Sequence, residues 1–335
     1  MHPELIEIPF VNLTVKGYGL MMVVGFLAAV TLIRYLSRSF TKDPQHITNA
    51  ALYSLIAGVV GARVFFVVHY FDSFRDDLLG VFAIWKGGLE LLGGVLMAVA
   101  VILLYIRYHK LPLRHYLDVL AVGLMLALVF GRIGCFLNGC CYGKPTDLPW
   151  GVRFPYGSFA CHSQVQSDPE RGRTEPHLHL PPDYFGYFDE DGDYQPGLKP
   201  WESLTAQQQG QVTSGPYRCL PVHPTQLYTS ASAAVLCLIL YLFWRRAQNA
   251  ERTGKYPFAT KPGSVFSLMF IFYGTMRFLM ELVRDDNPFE IGRLTISQLI
   301  GMALVILGAV LIAFFAVARP EKLASENSKP VKSRK

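Results

Sequence analysis

The sequence predicts an all-α polytopic membrane protein with seven transmembrane helices. Apolar residues make up 51% of the 335 residues and charged residues 17%, below the roughly 25% that is usual in soluble domains. Several apolar stretches reach about 20 residues, the length that crosses the hydrocarbon core of a bilayer. Lys and Arg alternate between rich and poor connections, as they do in proteins that cross a membrane repeatedly.

Seven apolar stretches are the candidate spans, at about 18–36, 50–70, 88–106, 116–137, 224–244, 263–283 and 295–317. Basic residues concentrate after the first, third and fifth spans and in the C-terminal tail. They are Arg34, Arg38, Lys42, Arg107, Lys110, Arg114, Arg245, Arg246, Arg252, Lys255, Lys261, Arg319, Lys322, Lys329, Lys332, Arg334 and Lys335. We therefore expect the N-terminus outside and the C-terminus in the cytoplasm. We expect no cleavable signal peptide, because the start Met1-His2-Pro3-Glu4 has no positive charge.

The predicted domain organisation follows from these spans. Residues 1–143 hold the first four helices, and residues 223–319 hold the last three. Residues 144–222 are rich in Pro, Tyr, Asp and Gly, and we expect an external loop or small subdomain there. Residues 320–335 form a polar, basic stretch that we expect to be a disordered cytoplasmic tail. The net charge of +6 is modest and does not indicate a nucleic-acid partner.

Polar and ionisable side chains collect at one predicted depth, just below the outer surface. Such residues inside a membrane are candidates for function. They are Tyr18, Arg63, Glu90, Arg132, His223, Gln226, Tyr273, Arg277 and Glu281. A site at this level is open to the outer leaflet.

Tyr273, Arg277 and Glu281 are spaced by four residues and share one helical face. Glu281 can therefore hold Arg277 in place. With Arg63 and Arg132, three guanidiniums face two carboxylates at this depth, so positive charge remains. Guanidinium binds phosphate in a bidentate manner, and the abundant phosphate here belongs to lipid headgroups. The alternative is that these arginines only pair with carboxylates and join helices.

The histidine and cysteine motifs leave several interpretations open. His223 precedes Pro224 at a helix start, where it is either a proton carrier or an interfacial histidine bonded to backbone. Cys135, Cys140 and Cys141 match no strong zinc pattern, so we predict no metal. We expect a disulfide from Cys140 or Cys141 to a cysteine of the external loop, and a packing role for Cys237. The loop cysteines are Cys161 and Cys219.

At these residues the chain resembles the prolipoprotein diacylglyceryl transferases, which are bacterial inner-membrane enzymes. The matching blocks are Gly17-Tyr18-Gly19-Leu20-Met21, Trp85-Lys86-Gly87-Gly88 with Gly93-Gly94, Gly131-Arg132-Ile133-Gly134-Cys135-Phe136-Leu137-Asn138-Gly139, His223-Pro224-Thr225-Gln226-Leu227-Tyr228, and Tyr273-Gly274-Thr275-Met276-Arg277 with Glu281. The resemblance spans the chain except about 155–218 and the tail. It implies seven helices with the N-terminus outside.

The resemblance also implies a multi-pass protein of the bacterial inner membrane whose active site faces the outer leaflet. Its reaction transfers the diacylglyceryl group of phosphatidylglycerol to the lipobox cysteine in the signal peptide of a preprolipoprotein, and glycerol phosphate leaves. No cofactor or metal is implied. By motif, Arg132, Arg277, His223 and Glu281 take catalytic roles. The substrate-binding set is Arg132, Tyr18, Arg63, Glu90, Asn138, Gly143, Tyr273 and Gln226.

Three positions depart from the family pattern. Leu92 stands where many members have a His, Cys135 where an Asn is frequent, and Cys140 where an acidic residue is frequent. If that His is the base for the substrate thiol, another group must serve here. Glu90 and His223 are candidates, or the charge of Arg277 acidifies the thiol.

Three other functions compete with this one. A headgroup transferase would need a divalent metal and several aspartates, whereas Asp118 stands alone near a span end. A transporter or a phospholipid-binding scaffold would have no chemistry, and a transporter's polar residues would line a path around the midplane. An inactive family member would bind lipid and form no thioether.

Overall fold

The computed structural model describes residues 4–8, 13–41, 43–75, 78–82, 88–189, 192–319 and 321, and the chain is mostly helical there. The α-helices in these ranges are α1 (Gly17–Ser37), α2 (Gln45–His69), α3 (Leu91–Tyr108), α4 (Leu113–Asn138), α5 (Phe159–Val165), α6 (Ala206–Thr213), α7 (Thr225–Thr253), α8 (Ser264–Glu281) and α9 (Ile296–Val317). Three antiparallel hairpins pair β1 (Glu4–Ile8) with β2 (Leu13–Lys16), β3 (Phe185–Phe188) with β4 (Tyr194–Leu198), and β5 (Phe289–Ile291) with β6 (Leu294–Thr295). Their registers place Glu7 opposite Thr14, Tyr187 opposite Gln195, and Ile291 opposite Leu294.

Long helices occupy all seven intervals in which the sequence predicts spans. Among the described residues, α1, α2, α4, α7 and α9 are long and apolar enough to cross a membrane, with mean hydropathy from 1.8 to 2.9. Only 17% to 33% of their most apolar stretches is buried inside the protein. Such helices expose apolar surface that water would disfavour and lipid accepts. The chain is therefore a polytopic membrane protein.

The two remaining long helices differ in composition. Helix α3 is apolar and shorter, and α8 carries Arg277 and Glu281 within its 18 residues. The start of α8 is fixed by Asp118, whose carboxylate accepts hydrogen bonds from the backbone N–H groups of Gly263 (2.8 Å) and Phe266 (2.9 Å). Asp118 is thus a buried capping residue of a helix start.

The chain divides into two compact units. The first comprises Met1–Leu27, Leu124–Leu240 and Ser267–Leu311, and the second comprises Ala28–Gly123, Tyr241–Phe266 and Ile312–Lys335. Most of the predicted tail, with Pro320 and residues 322–335, lies outside the described residues. Glu321 is described, and its carboxylate accepts from the backbone N–H of Arg114 at 2.8 Å within the second unit.

In the second unit, α2 and α3 pack through small residues. A Cβ added at Gly61 would lie 2.4 Å from Cγ of Met97, and one added at Gly94 would lie 2.9 Å from the carbonyl oxygen of Gly58. Without Cβ atoms the two backbones come close, which is how helices associate in the absence of a hydrophobic driving force.

Residues 144–222 belong to the first unit and contain folded structure of their own. A small core joins α5, the β3–β4 hairpin and α6, and it consists of Val165, Tyr184, Leu198, Leu204 and Val212. Helix α6 begins with a capping box between Thr205 and Gln208. The region is thus more than an extended connection between spans.

A disulfide joins Cys161 to Cys219, with 5.6 Å between their Cα atoms. The expectation that Cys140 or Cys141 forms a disulfide with Cys161 or Cys219 is wrong, because Cys161 and Cys219 are bonded to each other. Cys140 and Cys141 are free thiols. The side chains of Gln226 and Thr225 hold their backbone carbonyls at the start of α7 instead.

Candidate active site

The segment that follows α4 lies between two other segments of the first unit and joins three sequence motifs. The backbone N–H of Gly143 donates to the carbonyl of His223 (3.0 Å), and that of Lys144 donates to the carbonyl of Val283 (2.9 Å). Gly143 also forms an antiparallel bridge with Arg284. The end of the Arg132 motif, the His223 motif and the segment after Glu281 therefore meet.

Gly143 is required for this meeting. A Cβ added there would lie 2.7 Å from Cβ of His223 and 2.8 Å from its carbonyl oxygen. Real Cβ atoms do not approach neighbours so closely, so any larger residue would push the two segments apart. The predicted contact of Gly143 with substrate stays a prediction, whereas its packing role is visible.

Gln226 is buried and serves the same junction. Its amide Nε2 donates to the carbonyl of Cys140 at 2.7 Å, and the hydroxyl of Thr225 donates to the carbonyl of Cys141 at 2.6 Å. Asn138, the last residue of α4, has its side chain near the Cys140 thiol. These polar side chains fix the turn that follows Arg132.

His223 contributes mainly its backbone to the junction, through the bond with Gly143 described above. Its ring Nδ1 lies 3.3 Å from the hydroxyl of Tyr228, which accepts a hydrogen bond from Trp150 Nε1 at 2.7 Å. The ring is half-buried. Both earlier interpretations of His223, a proton carrier or a backbone-anchored interfacial residue, are compatible with these contacts.

Arg277 and Glu281 form an ion pair, with 2.8 Å between Nη1 and Oε2. The predicted pairing of these residues on one face of α8 is confirmed. Nη2 of Arg277 also donates to the hydroxyl of Ser297, and Oε1 of Glu281 accepts from the amide of Asn287. Both ends of the pair are therefore anchored to neighbouring segments.

Arg284 belongs to a cluster of charged residues that comprises Arg132, Arg277, Glu281, Arg284 and Asp286. The sequence did not predict Arg284 as a member of the site. It is buried, its Nε and Nη2 donate to the two carboxylate oxygens of Asp286, and its Nε lies 3.9 Å from Glu281. Burial alone would lower the pKa of Arg284, but the hydrogen bonds and charge of Asp286 outweigh burial and raise it. The available signal was the spacing of three residues between Glu281 and Arg284. Because Arg284 lies just past an apolar stretch, the sequence indicated only a cation in a loop.

Arg132 is the cation of this cluster that has no carboxylate partner. It is half-buried near the end of α4, and it interacts electrostatically with Arg277 and with Cys141. Across the described part of the chain, its guanidinium makes no hydrogen bond or ion pair. Arg277 is paired with Glu281 and Arg284 with Asp286, so the cluster carries one excess positive charge. A half-buried guanidinium of this kind binds an anion favourably.

Two tyrosines adjoin the arginines. Gly134 lies against Tyr18, since a Cβ there would be 3.2 Å from Cδ2 of the Tyr18 ring. Tyr18 also interacts electrostatically with Arg132, and Tyr273 with Arg277. The structure thus brings together, within one unit, most of the predicted site. This set is Tyr18, Arg132, Asn138, Gly143, His223, Gln226, Tyr273, Arg277 and Glu281.

Arg63 and Glu90 lie in the second unit. Arg63 is buried, and its guanidinium donates to the carbonyls of Gly80 (2.6 Å), Val81 (2.8 Å) and Gly88 (2.9 Å). Glu90 is the N-cap of α3, and its Oε2 lies 3.4 Å from Nδ1 of His69. Arg63 therefore organises backbone, and substrate binding by either residue stays a prediction. Of the motif beside them, Trp85, Lys86 and Gly87 lie outside the described residues.

Fold and site together define a helical membrane protein with a half-buried, uncompensated guanidinium among paired charges. The model of the family described as prolipoprotein diacylglyceryl transferase matches residues 3–314. The chain belongs to this family.

Three similar proteins are each named phosphatidylglycerol–prolipoprotein diacylglyceryl transferase. The protein from Clostridium tetani is 28% identical over 308 residues, which cover 92% of this chain and 95% of the relative. The protein from Aeromonas hydrophila is 28% identical over 92% of this chain and 89% of its own length. The protein from Rhodopirellula baltica is 26% identical over 95% of this chain and 75% of its own length.

Proposed function

We propose that this chain transfers the diacylglyceryl group of phosphatidylglycerol to the lipobox cysteine of a preprolipoprotein. The names of its relatives give phosphatidylglycerol and a prolipoprotein as their substrates. The observation that carries the proposal is Arg132, a half-buried guanidinium without a carboxylate partner beside the Arg277–Glu281 pair. The phosphate of phosphatidylglycerol carries one negative charge, which matches the one excess charge of the cluster. No protein nucleophile is required, because the substrate supplies a thiol.

The reaction forms one bond and breaks one. The lipobox sulfur attacks the glyceryl carbon that carries the phosphate, and the bond between that carbon and the phosphate oxygen breaks. The electron pair leaves with the oxygen, so glycerol phosphate gains a negative charge. The thiol proton is released, which balances the charge. Arg132 and Arg277 stabilise the developing charge, and fixed guanidiniums do this most effectively where water is excluded.

The proposed topology places this chemistry at the outer face of the membrane. All seven long helices cross the bilayer, with the N-terminus outside and the tail in the cytoplasm. Residues 144–222 then lie outside, and the Cys161–Cys219 disulfide supports this side because disulfides persist in oxidising compartments. The compartment is the bacterial inner membrane, and Tyr18, Asn138, His223 and Glu281 order the pocket around the lipid headgroup.

Leu92 is the reason for a second candidate function, that of an inactive family member. It stands where the family pattern described above has a histidine, and its side chain is exposed. A family member without its thiol base would bind phosphatidylglycerol and transfer nothing.

A transfer assay with the purified protein in detergent separates the two functions. A lipobox peptide is incubated with phosphatidylglycerol, and the peptide mass and released glycerol phosphate are followed. The expected result is a peptide that gains one diacylglyceryl group, with no reaction when the lipobox cysteine is serine. Lipid binding without transfer would support the inactive member, and absence of both would overturn the proposal.

A further inference from the structure

Three free thiols converge beside Arg132. The Sγ atoms of Cys135, Cys140 and Cys141 all lie within 4.8 Å of one another, and all three residues are half-buried. Among the described residues, this is the only group of three His, Cys, Asp or Glu side chains that is arranged to hold a metal ion. The transfer reaction as written above uses none of these thiols.

The backbone conformation after α4 brings the three thiols together. Gly139 (φ +74°) ends α4, and Cys141 adopts φ +60°, a left-handed conformation found at only three non-glycine positions in the described residues. Non-glycine residues adopt it at an energetic cost and persist in it where surrounding contacts enforce it. Those contacts are the hydrogen bonds from Thr225 and Gln226 to the carbonyls of Cys141 and Cys140.

The charges around the cluster suit bound thiolates. Arg132 and Arg284 both interact electrostatically with Cys141, and the Asn138 side chain lies near the Cys140 thiol. Three thiolates around a divalent cation carry one net negative charge, and nearby guanidiniums lower the cost of placing that charge in a half-buried site. Hydrogen bonds and charges that surround the ligands are a regular part of metal sites in proteins.

The oxidation state of the chain points in the same direction. Cys161 and Cys219 are joined in a disulfide in the same unit, whereas the three clustered cysteines form no disulfide, and the Cys140 thiol donates to the carbonyl of Cys135 at 3.7 Å. In an oxidising compartment, neighbouring thiols oxidise readily unless something occupies them. A bound metal ion would keep all three reduced.

We propose that Cys135, Cys140 and Cys141 bind a zinc ion whose fourth position receives the lipobox thiol of the substrate. This inference rests on the proposed function. Zinc in catalytic sites has three protein ligands and one open position, and thiolates are among its preferred ligands. The C-x4-C-C spacing matches no common zinc motif because the left-handed turn after α4, and not a regular spacing, brings the ligands together.

If the histidine of the family pattern at position 92 is the thiol base, the zinc ion would take its place in this chain. The lipobox thiol gives its proton to water as its sulfur binds zinc, since a coordinating thiol is deprotonated. The thiolate then attacks the glyceryl carbon, and glycerol phosphate leaves with the electron pair of the broken C–O bond. The thioether product is a weaker ligand and dissociates. No atom is oxidised or reduced.

Metal content tests the site without an activity measurement. The full chain is purified in detergent with a reductant, loaded with zinc chloride, desalted, and analysed by plasma mass spectrometry. We expect about one zinc per chain, and at least about a tenfold lower content in Cys135→Ser and Cys141→Ser. Cys237→Ser is the matched control, because Cys237 is also half-buried, is in no disulfide and lies outside the cluster. This variant should keep its zinc.

A cobalt-loaded wild-type protein gives a second readout that does not depend on the folding of a variant. Three thiolate ligands produce intense sulfur-to-cobalt charge-transfer absorption. A lipobox peptide with cysteine should increase this absorption, and the same peptide with serine should leave it unchanged. Absence of zinc and of cobalt charge transfer, with all three thiols titratable, would overturn the site. Diacylglyceryl transfer by such a metal-free protein would leave the proposed function standing, whereas zinc binding without transfer would support the site and count against that function.

Discussion

Arg277 and Glu281 lie one helical turn apart on α8 and form an ion pair of 2.8 Å in which the carboxylate side chain is 1% exposed. A carboxylate so deeply buried is stable as an anion only with close partners. Arg277, Arg284 and the amide of Asn287 supply them. The pair thereby fixes the position of Arg277 beside the unpaired Arg132.

Replacing Glu281 with glutamine should impair both stability and transfer. The change leaves Arg277 without its buried counter-charge, and breaking such a pair costs about 3–5 kcal/mol. A displaced Arg277 should lower the transfer rate by up to about 100-fold. Thermal unfolding in detergent and the transfer assay measure the two effects. Glu290→Gln, at an exposed glutamate of β5, is the control, and equal behaviour of both variants would contradict this role.

Gly143→Ala should separate the segments that meet at the site. The new methyl group would overlap His223, and overpacking of this kind costs about 1–3 kcal/mol. We expect a lower midpoint of thermal unfolding and a reduced transfer rate. Gly210→Ala is a matched control, since its new Cβ would have no neighbour within 4 Å. An unchanged midpoint in Gly143→Ala would show that the junction tolerates a side chain.

The Cys161–Cys219 disulfide should stabilise the loop region. It joins residues 58 positions apart, and cross-links of this size contribute about 2–4 kcal/mol. We expect Cys161→Ser/Cys219→Ser to increase hydrogen exchange in α5 and α6 while the long helices keep their protection. Mass spectrometry after alkylation without reductant should find both cysteines of the wild-type protein blocked. Alkylation of either one would contradict the pairing.

His162 should make the same region sensitive to acid. Burial lowers the pKa of His162 below its ordinary value of 6.5, so the unfolded chain binds a proton more readily than the folded one. Stability is therefore fully present above pH 6.5 and is lost as the pH falls through the lower, folded-state pKa. The protection factor of α5, which corrects hydrogen exchange for its intrinsic dependence on pH, should fall over that window in the wild type. His162→Gln should flatten the dependence, and an equal dependence in both proteins would contradict the assignment.

The sequence predicts the helices well because each helix is specified by the composition of its own segment. An apolar run of bilayer length specifies a spanning helix whatever surrounds it, and the spacing of four places Arg277 above Glu281 on one face. The common depth that the predicted spans give to the polar residues agrees with the finding that most site residues lie together in one unit.

Most of the missed features depend on contacts between distant segments. Arg284 stands in a short connection, and its burial becomes visible only when Gly143 pairs with it. The partner of Cys161 is 58 residues away and is chosen by the fold of the loop region. Cys135 and Cys141 converge through a left-handed turn that no residue spacing indicates. Arg63 was grouped with the other cations by depth alone, although its guanidinium donates to three backbone carbonyls.

The central claim is that the unpaired guanidinium of Arg132 binds the phosphate of phosphatidylglycerol during transfer. The most direct measurement compares the transfer rate of the wild type with Arg132→Ala, Arg132→Lys and the control Arg246→Ala, whose arginine is exposed on α7. We predict a loss of at least about 100-fold in Arg132→Ala, a smaller loss in Arg132→Lys because lysine keeps the charge without bidentate geometry, and no loss in Arg246→Ala. Transfer by Arg132→Ala at the wild-type rate would contradict the account.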